Sequence, residues 1–295
     1  MNAHLASNYL VCVLASLISH PAVYGSEPDL YEQMVTKGVG PIKEQHVVLD
    51  RPILAGIDGA EERQTAAEVL TKRIGWARFA KDSVFAPVAI DIDAVKDSAG
   101  TRIAHSIHCA FIVHAELEHL RDQELLESIL VAGEDKEKED DEGKGEELPP
   151  EVLAENDIEA PNNGESYGQV TFPLFNRVEV SGVIHAVRVE QENAIGVAWQ
   201  FDDRFSGSHA SAWRRLSKNN LGHLVVGNSV PYTGCGGYMM VQEISPGLLL
   251  VESRMVMHEP KDWFNGSQFL RSKLPPGLQE NARSFRRKLA EARKQ

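Results

Sequence analysis

The sequence is short of cysteine: it has three in 295 residues, and Cys12 falls within the first 25. A small disulfide-stapled scaffold is therefore excluded. Cys109 and Cys235 are left either to form one bridge or to stay separate as buried thiols. No apolar run reaches the length of about 20 residues that a membrane-crossing helix needs. There is no internal repeat, no HExxH motif and no zinc-ribbon spacing, so neither a metal centre nor a cofactor is predicted. The chain also lacks a basic body. Its net charge of −13 is concentrated in one place, because Glu134 to Glu165 holds 14 acidic residues against three lysines, a net of −11. Arg271 to Lys294 carries eight basic residues against Glu280 and Glu291, a net of +6. A nearly neutral body between an acidic tract and a basic end argues against a nucleic-acid binder.

What is present begins with a leader. Tyr9 to Ile18 reads YLVCVLASLI, too short to span a bilayer but suited to the apolar core of a signal peptide. His20 and Pro21 break the helix, and Val23-Tyr24-Gly25 supplies small or modest residues where a signal peptidase reads. The pattern predicts cleavage near Gly25/Ser26, residues 1–25 as a signal peptide, and a secreted or periplasmic protein. The leader contains no Lys or Arg, and the competing reading is a buried N-terminal helix.

From Ser26 to Gln45 no period emerges, and the segment reads as an irregular arm. His46 to Leu54 has the character of a short strand. Asp58 is placed as an N-cap, with Glu61 answering it in a capping box; Ala67, Leu70 and Ile74 supply the inward stripe and Gly75 the stop. Val88 to Asp93 alternates with period two, Asp97-Ser98-Ala99-Gly100 is a turn, and Thr101 to Val113 completes a hairpin. Glu116 to Leu130 returns to helical spacing. Residues 133–166 carry dense charge, few large apolar side chains, and Pro149, Pro150 and Pro161, which predicts a disordered acidic insertion. The insertion divides one domain into a first part, 26–132, and a remainder, 167–295.

Beyond it, strands are predicted at Val178 to Val189, Ala194 to Phe201, Leu221 to Ser229, Tyr238 to Ile244 and Leu248 to Met257. Gly207 to Ser217 reads as a short helix. After Pro275-Pro276 a helix runs from Gly277, with Leu278, Ala282, Phe285 and Leu289 as its apolar stripe. The predicted class is α+β: a mostly antiparallel curved sheet with flanking helices and a long amphipathic C-terminal helix. From about Gly168 onward this order of elements resembles the START-like helix-grip architecture. That resemblance implies a sheet wrapped around a helix and an apolar ligand between them; it carries no sequence motif and assigns no residue.

Several local patterns invite chemistry. Gly164-Glu165-Ser166-Tyr167-Gly168 matches the G-x-S-x-G nucleophile elbow, but it follows a charged tract and precedes strand-like residues, the wrong context on both sides. Pro231 to Gly237 is glycine-rich, yet a strand follows where a phosphate loop needs a helix. Pairing the hairpin symmetrically about Ser98 and Ala99 sets Asp91 opposite Ser106 and Ala89 opposite His108. Asp91, Asp93 and His108 then share a polar face that can act as base and acid or bind a divalent metal; the plainer reading is a wet sheet face. His105, on the apolar face, reads as a hydrogen-bonded core histidine. Trp199, Tyr232 and Cys235 are the candidate ligand-binding residues. The basic C-terminal helix suits either packing on its own sheet or contact with an anionic membrane. Asn265-Gly266-Ser267 is a glycosylation sequon, which matters only in a eukaryotic source.

These patterns favour a non-catalytic module that binds a small apolar molecule or an envelope component. A hydrolase or metal-dependent enzyme using Asp91, Asp93 and His108 is the alternative, and a peripheral membrane protein held by the C-terminal helix is a third reading. No nucleic-acid partner is expected.

Overall fold

The computed structural model describes residues 30–71, 74–121, 144–159, 161, 164–220, 223–264 and 269–293. The predicted leader, the sequon and residues 122–143 lie outside them. The strands are β1 (Val39–Ile42), β2 (Gln45–Val47), β3 (Ala89–Lys96), β4 (Arg102–Val113), β5 (Lys144–Glu147), β6 (Glu165–Leu174) and β7 (Val178–Gln191). They continue with β8 (Ala194–Phe201), β9 (Ala212–Lys218), β10 (Leu224–Val226), β11 (Val230–Pro231), β12 (Cys235–Ser245) and β13 (Leu248–His258). The helices are α1 (Leu30–Thr36), α2 (Ala60–Glu68), α3 (Trp76–Phe79), α4 (Pro150–Glu155) and α5 (Phe269–Ala292).

Eleven strands form one sheet in the order β10-β9-β7-β8-β12-β13-β4-β3, with β6 on the other side of β7, β5 beyond it, and β11 against β9. Every pairing is antiparallel. Strands from both sides of the acidic tract join in it, since β4 lies against β13. Alternation sends each strand's side chains to two faces, and both faces are covered. On the concave face, Phe111, Trp199, Val251, Met255 and Met257 pack with Leu270, Ala282, Phe285 and Leu289 of α5. On the convex face, α1 and the β1–β2 hairpin cover Ala198, Tyr238 and Val256, while Leu54, Ala67 and Phe79 cover Ala110, Ile112 and Leu250. The sheet wrapped around a long C-terminal helix is the arrangement that the element order resembles.

Several local expectations are corrected. Residues 30–36 form a helix rather than an irregular arm, because Leu30, Tyr31, Met34 and Val35 fall on one buried face too short to show a period. Of the expected strand from His46 to Leu54, only the first two residues fall in a strand, β2, which pairs with β1. The cap of α2 is Gly59, at φ 85°, and no side chain caps it, so the Asp58–Glu61 box is absent. In the β3–β4 hairpin the register runs two residues from the symmetric one: Asp91 faces His108 and Asp93 faces Ser106, with an irregularity at Val95/Lys96. Only Gly207–His209 is helical in the segment read as a short helix; Ala212 to Lys218 is a strand whose Trp213 and Leu216 are buried. Ser166 sits inside β6, not on a turn.

Part of the tract read as disordered is ordered: β5 pairs with β6, and Leu148, Leu153 and Ile158 bury themselves against Tyr167, Val183 and Phe205. Three apolar side chains among many charges suffice to hold it. Of the expected helix at 116–130, the described part is a single turn, Leu117–Arg121, with Leu117 and Leu120 inward.

Helix α5 runs through Pro275 and Pro276 instead of starting after them. Each proline removes a backbone donor, and burial of Leu270 and Leu274 offsets that loss. Arg286, one of the eight basic residues between Arg271 and Lys294, turns inward with 7% exposure. Its guanidinium donates to the carbonyls of Ile112, Val84, Ala86 and Pro87 at 2.6–3.4 Å and lies 5.3 Å from the Phe111 ring centroid. Burial lowers its pKa to about 10. The adjacent cavity, about 40 Å³ between Lys81, His114 and Arg293, has room for only a few waters.

Candidate functional site

Trp199, Tyr232 and Cys235, from three different segments, all join the concave core. Trp199 of β8 lies in register with Gly237 of β12, two residues from Cys235 on the same face. A Cβ on Gly237 would collide with the Arg254 carbonyl oxygen, so the glycines after Cys235 permit close strand approach rather than cradling a phosphate. Tyr232 stacks on Trp263 with centroids 5.4 Å apart and meets Phe201 edge-on at 5.6 Å; Trp213 closes on Trp263 at 6.1 Å. Met239, Met255 and Met257 belong to the same face. Their unbranched thioethers make it apolar and deformable.

Both cysteines are free and buried. Burial drives the Cys109 thiol up to about 12 and Cys235 higher still, which leaves two unreactive thiols.

Into this apolar surrounding projects a small polar group. Glu259, 4% exposed and one residue past β13, accepts a hydrogen bond from Arg102 Nη2 at 2.8 Å. Its other oxygen lies 2.5 Å from His105 Nε2. His105, 2% exposed, occupies the position opposite Met257. With Nε2 turned to the carboxylate, His105 Nδ1 has no partner among the described residues, and neither do Trp263 Nε1 and His258 Nδ1. Tyr232 links these groups: its hydroxyl donates to the His258 carbonyl at 3.1 Å and its ring stacks on Trp263. Burial, reinforced by Lys43, lowers the His258 pKa to about 4, and burial near Cys235 and Glu259 raises Tyr232 well above its usual value. A buried polar atom without a partner costs about 1–3 kcal/mol, so unpaired donors and acceptors beside an aromatic nest suit a ligand's polar end.

Asp91, Asp93 and His108 lie on the convex side. Asp91 and Asp93 are exposed on the edge strand β3. His108 Nε2 is 2.9 Å from Glu252 Oε1, which also accepts from Arg254 Nε at 3.0 Å, while Glu252 Oε2 accepts from Ile53 N at 2.8 Å. Among the described residues no three His, Cys, Asp or Glu side chains are grouped to hold a metal. Glu259 and Trp263 went unnoticed in the sequence. Nothing near them in the chain marks them; only the β4–β13 register brings Glu259 to His105.

No protein-family model and no curated protein matches the chain. Similar solved structures include a STAR-related lipid transfer protein from Xanthomonas axonopodis, 15% identical, with TM-score 0.40, covering 70% of this chain and 97% of that one. Human STARD10 is 12% identical with TM-score 0.36, covering 78% and 84%. The lipid transfer and protein localization domain of human StarD13 is 9% identical with TM-score 0.39, covering 79% and 97%.

Proposed function

We propose that the protein is a non-catalytic binding module whose concave interior takes a small apolar molecule with one polar, uncharged end. The observation that carries this reading is the set of buried polar atoms without a partner among the described residues: His105 Nδ1, and Trp263 Nε1 on the ring that stacks on Tyr232. Because the Glu259 carboxyl group already lies there, held by Arg102 and His105, a hydroxyl suits the site better than a second carboxyl group. Entry requires side chains to move. The methionines and the two N–H groups missing at Pro275 and Pro276 make the first turns of α5 the part easiest to displace.

The test is titration of the full chain with 1-decanol and with decanoate, read by tryptophan fluorescence and by native mass spectrometry. The reading expects saturable binding of the alcohol, weaker binding of the acid, and a Trp263→Phe variant whose fluorescence response is reduced. Equal, non-saturating responses to both probes would overturn it. Export belongs to the same proposal, with an envelope component as the other candidate occupant. A purified chain whose denatured mass begins at Ser26 supports export, and an intact Met1 refutes it.

A further inference from the structure

The β9–β10 hairpin carries a surface that the interior site does not use. Leu224, Val225 and Val226 are consecutive on β10 and 56%, 43% and 46% exposed; Val230, just beyond, is 41% exposed. A half-buried strand alternates, hiding every second side chain. Here both faces of the strand are in solvent, and among the described residues β10 pairs only with β9. Four aliphatic side chains are thereby presented on one projecting ribbon, where scattered single ones would need no explanation.

Charge indicates what covers them. From Ala212 to Pro231 there is no acidic residue, while Arg214, Arg215 and Lys218 are basic, in a chain whose net charge is −13. The same end gathers more cations. Leu216 donates its N–H to the Arg177 carbonyl at 2.7 Å, and Arg177 and Lys273 lie 4.9 and 6.0 Å from the Phe269 ring centroid. The acidic residues in contact are Glu179, which accepts from Arg214 at 3.2 Å, and Asp262, whose backbone carbonyl takes Arg215. A ribbon with an apolar tip on a basic base fits an interface of acyl chains beneath anionic headgroups.

We propose that the β9–β10 hairpin docks on an anionic lipid surface, inserting Leu224, Val225, Val226 and Val230 while the flanking arginines and lysines meet the headgroups. This surface differs from the C-terminal helix, whose apolar stripe is already buried on the sheet. It also stands apart from the interior site, so failure of ligand binding leaves it intact.

The experiment is flotation of the full chain with vesicles of phosphatidylcholine, with or without one-third phosphatidylserine. It is paired with an environment-sensitive thiol dye attached through the substitution Val225→Cys in a Cys12→Ser background; Cys109 and Cys235 are buried and unreactive. The dye's emission shifts to the blue only with anionic vesicles, and Leu224→Ser with Val226→Ser lowers partitioning at least about fivefold. Lys218→Gln gives a smaller loss that vanishes in high salt. Flotation with the dye still in a water-like environment assigns binding to another segment and overturns the proposal, as does no flotation at all. A dimer that the double serine variant turns into a monomer makes the hairpin a contact between copies, and overturns it equally.

Discussion

Two glutamates seven residues apart, Glu252 in β13 and Glu259 just past its end, do similar chemistry on opposite faces of the sheet. Each engages a histidine from β4 and an arginine: His108 and Arg254 for Glu252, His105 and Arg102 for Glu259. On the convex side the group is closed, because Ile53 donates its N–H to the second oxygen and Arg254 reaches on to Asp50. Burial there works to raise the Glu252 pKa, but the hydrogen bonds from His108 and Ile53 outweigh it and hold it below the ordinary value. On the concave side the group is left open, with His105 Nδ1 unpaired among the described residues. Alike in composition, the two groups differ in whether a neighbouring segment completes them. Completion marks a structural role; the open group keeps unpaired polar atoms for the proposed ligand.

Removing each carboxylate sharpens this contrast most. Glu259→Ala strands His105, which is 2% exposed, and should cost about 3–5 kcal/mol in urea unfolding. Glu252→Ala leaves His108 and Arg254, whose side chains are 15% and 19% exposed and can rehydrate, and should cost about 1–3 kcal/mol. The reverse order would break the comparison.

Acid separates the two groups next. His258, whose ring meets Tyr232 edge-on, has its folded pKa lowered to about 4 from 6.5. The unfolded chain therefore takes up a proton first, and stability present above pH 6.5 falls by up to about 3 kcal/mol as pH drops toward 4. The depressed Glu252 contribution is present above its unfolded pKa near 4.5 and is lost only as pH falls through the lower folded value. His258→Phe should remove the loss between pH 6.5 and 4.5 and spare the one below it; unchanged unfolding curves would refute that assignment.

Smaller effects follow for single imidazoles. His108→Ala should cost about 1–2 kcal/mol and leave 1-decanol binding unaltered, whereas His105→Ala should weaken that binding. Equal effects on the ligand would remove the distinction between closed and open groups. Smallest of all, Asp91→Asn on the exposed edge strand should stay within about 0.5 kcal/mol. A larger change, or loss of a bound divalent ion in native mass spectra, would revive the Asp91/Asp93/His108 face as a site.

Much of the architecture was legible because alternation and helical spacing act locally. Ile195 to Phe201, Leu249 to Met257, and Leu278, Ala282, Phe285 and Leu289 each reveal the face they bury. Short elements were not legible: α1 has only seven residues, and β9 mixes Arg214 and Arg215 with the buried Trp213 and Leu216. Tyr232, Cys235 and Trp199 were legible as candidates through their composition, and His105 through its place on an apolar face. Glu259 and Trp263 were not, since their meaning depends on partners about 150 and 30 residues away, His105 and Tyr232.

By itself, the sequence determined the α+β class, the strands at 178–189, 194–201, 238–244 and 248–257, and the apolar stripe of the last helix. These follow from side-chain periodicity, which each segment carries alone. Tertiary structure decided that Arg286 is buried, that Leu148, Leu153 and Ile158 order the end of an acidic tract, and that His108 is completed while His105 is not. Those outcomes rest on strand register and on which segment covers which face, and both are set by contacts between residues far apart in the chain.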